Sequence, residues 1–372
     1  MKIIFTGGGT AGHIIPIIAI VREIRKIRQD DLKLYYIGPR DEFSSVLLRQ
    51  EGVIMKTVLS GKLRRYISVS SVIKNIIDIL RIGIGIIQAF FLILFIRPNL
   101  IFSKGGHGSI PAAAAGVILH TPIFIHESDV VPGLANQIFS RFASNIFTAF
   151  PKTEYFLPSK TTPVGNPVRK EILEGSKEEA KEVFSLTGGK PVILILGGSQ
   201  GAQRINDTVL NIIGDLLAEF EIIHQCGENN YKQIREESRV AIPDDLQKYY
   251  HLSPFLKEPD LKDAYQICDL IVSRAGSGSI FEIAALGKPS ILIPLPEAAQ
   301  DHQSKNAYAY AKTGAAIVIE KENMTPHFFR DKIRYLFSHP SEMETMSQKA
   351  KEFSKPDAAR INSENLLTSL TK

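Results

Sequence analysis

Apolar residues fall along this chain in short continuous runs that end in glycine, each followed by a longer stretch with helical spacing. Residues 2–5 form one such run, ending in Thr-Gly-Gly-Gly-Thr-Ala-Gly-His at residues 6–13, after which residues 14–27 repeat apolar positions every three or four. The pattern predicts strand, glycine loop, helix. It recurs near the middle of the chain, where Val192–Leu196 runs into GGSQGA at residues 197–202 and residues 205–220 are again helical in period. A repeat at half the chain length points to two similar α/β halves, because solenoid repeats recur every 20–50 residues or so. Each half has a further strand-to-glycine junction: residues 100–102 lead into KGGHGS at 104–109, and residues 270–273 into RAGSGS at 274–279. Apolar runs at 123–125 and 290–294 complete the expected doubly wound α/β class, with parallel sheets covered by helices on both faces. Ligands of such sheets bind beyond the strand C-termini. The join is expected near residues 158–167, where Pro, Thr, Ser and Gly break the periodicity, and residues 340–372 read as polar helix.

Residues 82–96, IGIGIIQAFFLILFI, stand apart. The run is shorter than the roughly 20 residues that span a bilayer. Two readings remain: a buried helix leading into the next strand, or a helix with one face in a membrane interface. Lys62, Arg64, Arg65, Lys74 and Arg81 just upstream suit the second, since cations beside an apolar face attract anionic lipid.

Composition narrows the class. With 372 residues, 44% hydrophobic and 22% charged, the chain is globular and long enough for two cored domains, which imply a cleft. Two cysteines, Cys226 and Cys268, are too few for a disulfide scaffold and fit a reducing compartment. The N-terminal residues lack the apolar stretch of a secretory signal, so a cytoplasmic location is expected. The net charge of +5 suits a phosphorylated substrate, an anionic membrane or nucleic acid. Nucleic acid is disfavoured, because basic residues are dispersed and neither zinc-finger spacing nor an RNP-type aromatic cluster occurs.

The glycine loops carry the candidate chemistry. The first is neither a P-loop nor a dinucleotide fingerprint: no Gly-Lys-[Ser/Thr] follows, and G-x-G-x-x-G is not kept. Its glycines allow close backbone approach, with amide groups and a helix start available to an anion. His13 could cap the first helical turn or act as a general base, since imidazole titrates near neutral pH. The loop at 197–202 offers backbone donors and the Ser199 hydroxyl, a combination that suits phosphate. Glu282, about one turn into the helix after the 274–279 loop, could accept the hydroxyls of a ribose or be an ordinary solvated glutamate. Arg169, in NPVR at 166–169, could neutralise phosphate or lie on the surface. No Asp-x-Asp or His-x-x-x-His occurs, so neither a metal nor another cofactor is expected.

In order, GGGTAGH at 7–13, SGKLRR at 60–65, KGGHGS at 104–109, HESD with PGLAN at 126–136, GNPVR at 165–169, GGSQGA at 197–202, SRAGSGSIFE at 273–282 and DHQSKNA at 301–307 resemble the MurG family of peptidoglycan glycosyltransferases over most of the chain. The resemblance implies a GT-B fold, two Rossmann-like parallel-sheet domains facing across a cleft. It places an acceptor-binding, membrane-associating domain over residues 1–163, a UDP-N-acetylglucosamine domain over 164–345, and a last helix over 346–372 that crosses back. It implies that Thr10, Ala11 and Gly12 meet donor sugar and acceptor, with His13 as candidate base, and that Asp129 contacts the sugar beside His126 and Glu127. Arg169, Ser199 and Leu256 match donor-binding positions, with Leu256 beside the uracil. Ser277, Gly278, Ser279, Ile280, Phe281 and Glu282 match the loop around diphosphate and ribose, and Gln303 matches a sugar-hydroxyl contact. Ala11 and Asp129 depart from the family's commoner glycine and asparagine. A carboxylate at 129 accepts from hydroxyls but donates only when protonated.

The implied reaction moves N-acetylglucosamine from UDP to the C4 hydroxyl of N-acetylmuramic acid on undecaprenyl diphosphate, with inversion. That converts lipid I to lipid II in peptidoglycan and cell-wall synthesis, a process tied to cell shape and division. His13 or Glu127 would be the base. The expected partners are both substrates, an anionic membrane surface and possible cell-wall synthesis proteins, with the chain peripheral on the cytoplasmic face of the inner membrane. Competing readings are a transferase for another glycolipid, a UDP-sugar epimerase of the same fold, and a silent UDP-sugar-binding scaffold.

Overall fold

A computed structural model describes residues 1–8, 11–28, 32–62, 69–151, 154–198, 203–295 and 301–370. The chain divides into two compact units, Met1–Arg169 with Lys355–Lys372, and Lys170–Ser354.

The first unit holds a seven-stranded sheet of β1 (Lys2–Thr6), β2 (Lys33–Gly38), β3 (Ile54–Thr57), β4 (Leu100–Ser103), β5 (Ile123–Glu127), β6 (Asn145–Thr148) and β7 (Thr161–Pro163). Its order is β3-β2-β1-β4-β5-β6-β7, and every pairing is parallel. Residues 3–5, 100–102 and 123–125 of the central strands β1, β4 and β5 are unbroken apolar runs because helices cover both faces. Ile4, Ile101 and Ile125 pack on one side with Ala112, Ala113 and Ala115, while Ile3, Phe5 and Phe102 pack on the other with Ile14, Ile17 and Leu366. Each such side chain contributes about 1.5–3 kcal/mol on leaving water. The final helix, Ala358–Ser369, lies on the helix Ala11–Ile27, where the Ser363 hydroxyl donates to the Ile20 carbonyl at 3.1 Å.

The second unit repeats the plan with β8 (Val192–Leu196), β9 (Glu221–Gln225), β10 (Tyr250–Ser253), β11 (Leu270–Arg274), β12 (Ser290–Ile293) and β13 (Ala316–Val318), in the order β10-β9-β8-β11-β12-β13. All of these pairs are parallel too. The apolar period across residues 205–220 resolves into two helices, Gln203–Leu210 and Ile213–Glu219, which share one core with Ile193, Val272 and Phe329. The helix Pro340–Phe353 packs on Ser277–Leu286, with the Phe353 and Phe281 rings 5.2 Å apart.

The apolar segment of the first unit is longer than the sequence suggests. It forms part of a 28-residue helix, Val69–Ile96. Within it, Ile73–Ile96 is long and apolar enough to cross a membrane, with 22% of its 18-residue window buried. Ala89, Ile93 and Ile96 face the core, but Ile84, Ile87, Phe91 and Phe95 are exposed, so full burial is not its state. Of Gly83, Gly85 and Gln88, which interrupt the apolar run in the sequence, the last two are packing features, whereas a Cβ on Gly83 would meet nothing within 4 Å. A Cβ on Gly85 would fall 1.9 Å from the Leu59 carbonyl oxygen, and the Gln88 side chain accepts from the Leu59 amide at 2.8 Å.

Candidate active site

In the first unit the chain leaves β1 toward β2 on one side and β4 on the other, the point at which doubly wound sheets open a crevice beyond their strand ends. The loops after β1 and β4 meet there. Tyr36, buried on β2, donates its hydroxyl to the Gly7 carbonyl at 2.7 Å and so pins the first loop. Gly105 and Gly106 both have positive φ, +83° and +76°, a region that costs other residues strain. A Cβ on Gly106 would lie 2.6 Å from the Gly8 carbonyl oxygen and 2.9 Å from His13 Nε2, and one on Gly105 would lie 2.7 Å from the Asn136 side-chain amide. Only glycine lets these groups interlock. Ala11 and His13 are half-buried and Gly12 is exposed, all in the first turn of the helix Ala11–Ile27. Thr10 lies outside the described residues.

The end of β5 carries a buried charge cluster. Glu127 Oε1 accepts from the Asp129 amide at 3.0 Å, while Oε2 accepts from the Gly133 amide at 3.1 Å and from Asn136 Nδ2 at 2.9 Å. Burial, and then the neighbouring Asp129 charge, push the Glu127 carboxyl above the ordinary carboxylate range, against the pull of its donors and of Lys104. Lys104, one residue beyond β4, is itself buried. Its ammonium reaches His126 Nδ1 at 2.6 Å, Asn166 Oδ1 at 3.1 Å and the Ser128 hydroxyl. His126 Nε2 lies 3.0 Å from the Gly165 carbonyl. A carbonyl can only accept, so Nε2 carries the proton and Nδ1 accepts from Lys104. Burial and the adjacent ammonium drive the imidazole well below its ordinary pKa, which fits that neutral tautomer. Asp129 is half-buried on the following turn, and Arg169 is buried at the end of this unit.

The second unit places its glycine loops at the equivalent switch between β8 and β11. Gly198 has φ +81°, and Arg274 Nη1 donates to the Gly197 carbonyl at 3.5 Å. Ser199 lies outside the described residues. The helix Ser277–Leu286 starts from Gly276, leaving its first amides for a ligand. A Cβ on Gly276 or Gly278 would meet nothing within 4 Å, so open space borders this turn. Ser277 is buried, while Gly278 and Ser279 are half-buried. Ile280 and Phe281 point into the core, so a ligand here could reach only their backbone. Glu282 is buried and accepts from the Tyr265 hydroxyl at 3.1 Å. Leu256 is buried and its amide donates to Gln225 Oε1 at 2.9 Å, fixing the chain after β10. Gln303 Oε1 accepts from the Leu295 amide at 3.0 Å, which orients its side chain beside the end of β12.

The first unit thus gathers Ala11, Gly12, His13, Glu127 and Asp129 around one set of strand ends, and the second gathers Ser277 to Glu282, Leu256 and Gln303 around another. Sequence reasoning assigned no role to Tyr36, nor to Lys104, Asn136 and Asn166, although these three lie within KGGHGS, PGLAN and GNPVR. For Lys104 a further signal was its place between a buried strand and two glycines. Among the described residues no group of three or more His, Cys, Asp or Glu could hold a metal ion.

Residues 3–148 match the glycosyltransferase family 28 N-terminal domain and residues 192–361 match the family 28 C-terminal domain. Among curated relatives, a UDP-N-acetylglucosamine–N-acetylmuramyl-(pentapeptide) pyrophosphoryl-undecaprenol N-acetylglucosamine transferase of Clostridium tetani is 34% identical over 91% of this chain and 90% of its own. A transferase of the same name, numbered 3, from Bacillus thuringiensis is 38% identical over 87% and 88%. Of solved structures, Acinetobacter baumannii MurG superposes with TM-score 0.74 at 23% identity, covering 99% of both chains. A Neisseria meningitidis UDP-GlcNAc 2-epimerase superposes with TM-score 0.66 at 16% identity, covering 99% of this chain and 100% of its own, so the two-unit fold is shared beyond transferases.

Proposed function

From the premise that this chain belongs to glycosyltransferase family 28 and to its N-acetylmuramyl-(pentapeptide) pyrophosphoryl-undecaprenol N-acetylglucosamine transferases, we propose that it moves N-acetylglucosamine from UDP to the C4 hydroxyl of lipid I. Identity of 34% across nine-tenths of both chains is the observation that carries this reading. The product is lipid II, and the place of the reaction is peptidoglycan synthesis.

Inversion needs a single displacement, with a base at the acceptor hydroxyl and charge stabilisation at the departing UDP. We assign the base to His13. Its imidazole sits at the β1 and β4 strand ends, whereas the oxygens of Glu127 already accept from three N–H donors and hold the 129–133 turn in shape. Asp129 on that turn accepts from a sugar hydroxyl, and Thr10, Ala11 and Gly12 keep the roles toward donor sugar and acceptor that the family motif implies. In the second unit, the helix start at Ser277 to Ser279 faces the diphosphate, Glu282 the ribose, Leu256 the uracil and Gln303 a sugar hydroxyl, and Ser199 keeps the donor-binding role that its motif implies. Arg169 matches a donor-binding position of the family, and its guanidinium suits a phosphate.

We further propose that the chain works at the cytoplasmic face of an anionic membrane, where its lipid-linked acceptor resides. The exposed face of the helix Val69–Ile96, bordered by exposed Lys62, Lys74 and Arg81, supports this.

Radiolabelled transfer from UDP-N-acetylglucosamine to a short-chain lipid I analogue, with chelator present, tests the reaction. Disaccharide product is the expected outcome. UDP binding without product would overturn the assignment in favour of another acceptor or a scaffold, and sugar epimerisation without lipid would place the chain with the epimerases.

A further inference from the structure

We propose that Lys104 is a positioning residue for this transfer: its buried ammonium is the counter-charge that lets Glu127 and Asp129 sit as two carboxylates on one turn, and it locks that turn to the end of the sheet. The inference rests on the transferase reading above.

The geometry is that of a built anchor. Nζ binds His126 Nδ1 at 2.6 Å on β5, Asn166 Oδ1 at 3.1 Å after β7, and the Ser128 hydroxyl between Glu127 and Asp129. Ser128 in turn donates to Asn166 Oδ1 at 2.9 Å. All three donors of the ammonium are therefore used inside the protein, on groups from two segments that sequence leaves 22 and 62 residues away. Facing the cation are His126 and Glu127 from β5 and Asp129 from the turn after it, while the β1 end contributes Gly7, against whose Cα the Lys104 Cβ packs. His126 is the neutral tautomer, so Glu127 and Asp129 supply the opposing charge. Burial pulls the ammonium's pKa down to about 7, and the Glu127 and Asp129 carboxylates act against that pull to favour its charged form.

A buried cation left without partners, or partners left without the cation, is costly, so the members of such a cluster are energetically coupled. Coupling is what separates this role from plain packing. Lys104→Met, Asp129→Asn and the double variant are compared with the parent for kcat, KM toward the lipid I analogue, UDP affinity and the pH profile. Lys104→Met is expected to lower kcat on the order of a hundredfold, as a misplaced turn would, with UDP affinity unchanged. Its acid limb should move to higher pH, because Glu127 loses a cation that held its proton affinity down. Adding Asp129→Asn removes one of the two uncompensated charges, so the double variant should recover about tenfold of that loss.

Independent losses that simply multiply, with the acid limb unmoved, would overturn the proposal. Should Lys104→Met not fold, a soluble and active double variant supports it and an equally insoluble one overturns it. A parent that transfers nothing fails at the reading beneath and takes this role with it, whereas an active parent with multiplicative losses fails here alone.

Discussion

His13 Nε2 and the Cα of Gly106 are packed so closely that a single methyl on the glycine would stand 2.9 Å from the ring nitrogen. The same methyl would stand 2.6 Å from the Gly8 carbonyl oxygen, and Gly106 has φ +76°. Gly106→Ala therefore has no easy relief: the backbone region is strained and one obstacle is main chain. Strain of this kind costs about 1–3 kcal/mol. The variant should lose that much stability in denaturant unfolding. Its kcat should fall on the order of a hundredfold through displacement of His13. His13→Ala should lower turnover as far without the stability loss, with UDP affinity unchanged by calorimetry. Unchanged turnover in His13→Ala would remove the imidazole from the reaction.

A second prediction concerns pH and lies in the second unit. His224 is fully buried on β9, between the Tyr250 hydroxyl at 2.8 Å from Nδ1 and Asn206 Oδ1 at 3.1 Å from Nε2. Asn206 Nδ2 is itself donating to the Cys226 carbonyl, so its Oδ1 accepts from Nε2–H, and in the neutral ring Nδ1 accepts from the Tyr250 hydroxyl. Burial pushes the imidazole pKa down to about 3. Between that value and the ordinary 6.5 the unfolded chain binds one proton more than the folded one, so stability is present above 6.5 and is lost as pH falls. His224→Gln should flatten the pH dependence of unfolding free energy across that window by up to about 1.4 kcal/mol per pH unit. An unchanged slope in denaturant melts would show that the imidazole is not held neutral.

The strand ends were legible because a buried parallel strand carries a continuous apolar run and stops where the backbone turns to a ligand; residues 100–102 followed by Gly105, and residues 270–272 followed by Gly276, have both marks. The start of the long helix was not. The apolar run reads as beginning at residue 82, after Arg81, yet the helix starts at Val69, Asp78 is buried within it and the apolar face includes Ile73, Ile76 and Ile77 before it. The cluster around Lys104 was hidden for another reason. Asn166 lies 62 residues away, and its place in GNPVR names no partner until the sheet order brings β4, β5 and the segment after β7 together. His13 and Glu127 were found from glycine-loop and family patterns, but Glu127 as a carboxylate saturated by three N–H donors is a tertiary fact.

Gly278 offers a test in which stability and function part company. It lies in the first turn of the helix Ser277–Leu286, and a Cβ there would meet nothing within 4 Å. Alanine is the better helix former by up to about 1 kcal/mol, so Gly278→Ala should hold or raise the melting temperature. If the open space beside this turn receives the diphosphate, the added methyl should raise the KM for UDP-N-acetylglucosamine on the order of tenfold. A tenfold change corresponds to about 1.4 kcal/mol, within reach of one methyl crowding the phosphates. A variant equally stable and with unaltered KM would move the nucleotide away from this helix start.

The membrane face can be separated from the chemistry. Phe91 and Phe95 are 51% and 78% exposed on the long helix, four residues apart on one face, and neither reaches the core that holds Ala89, Ile93 and Ile96. Replacing both by serine removes apolar area that water already touches, so the fold should survive with its melting temperature within a few degrees. If that face enters lipid, each ring contributes about 1.5–3 kcal/mol to partitioning, and the double variant should bind anionic vesicles at least about a hundredfold more weakly in sedimentation. Raising salt should weaken the parent further, because Lys62, Lys74 and Arg81 act on the lipid surface through a screened potential. Transfer to a water-soluble acceptor analogue should be unaffected, since neither ring lies at the strand ends that hold His13. Vesicle binding equal to the parent's would mean that the exposed apolar face serves something other than lipid. A fall in soluble transfer would mean instead that the helix shapes the acceptor site itself.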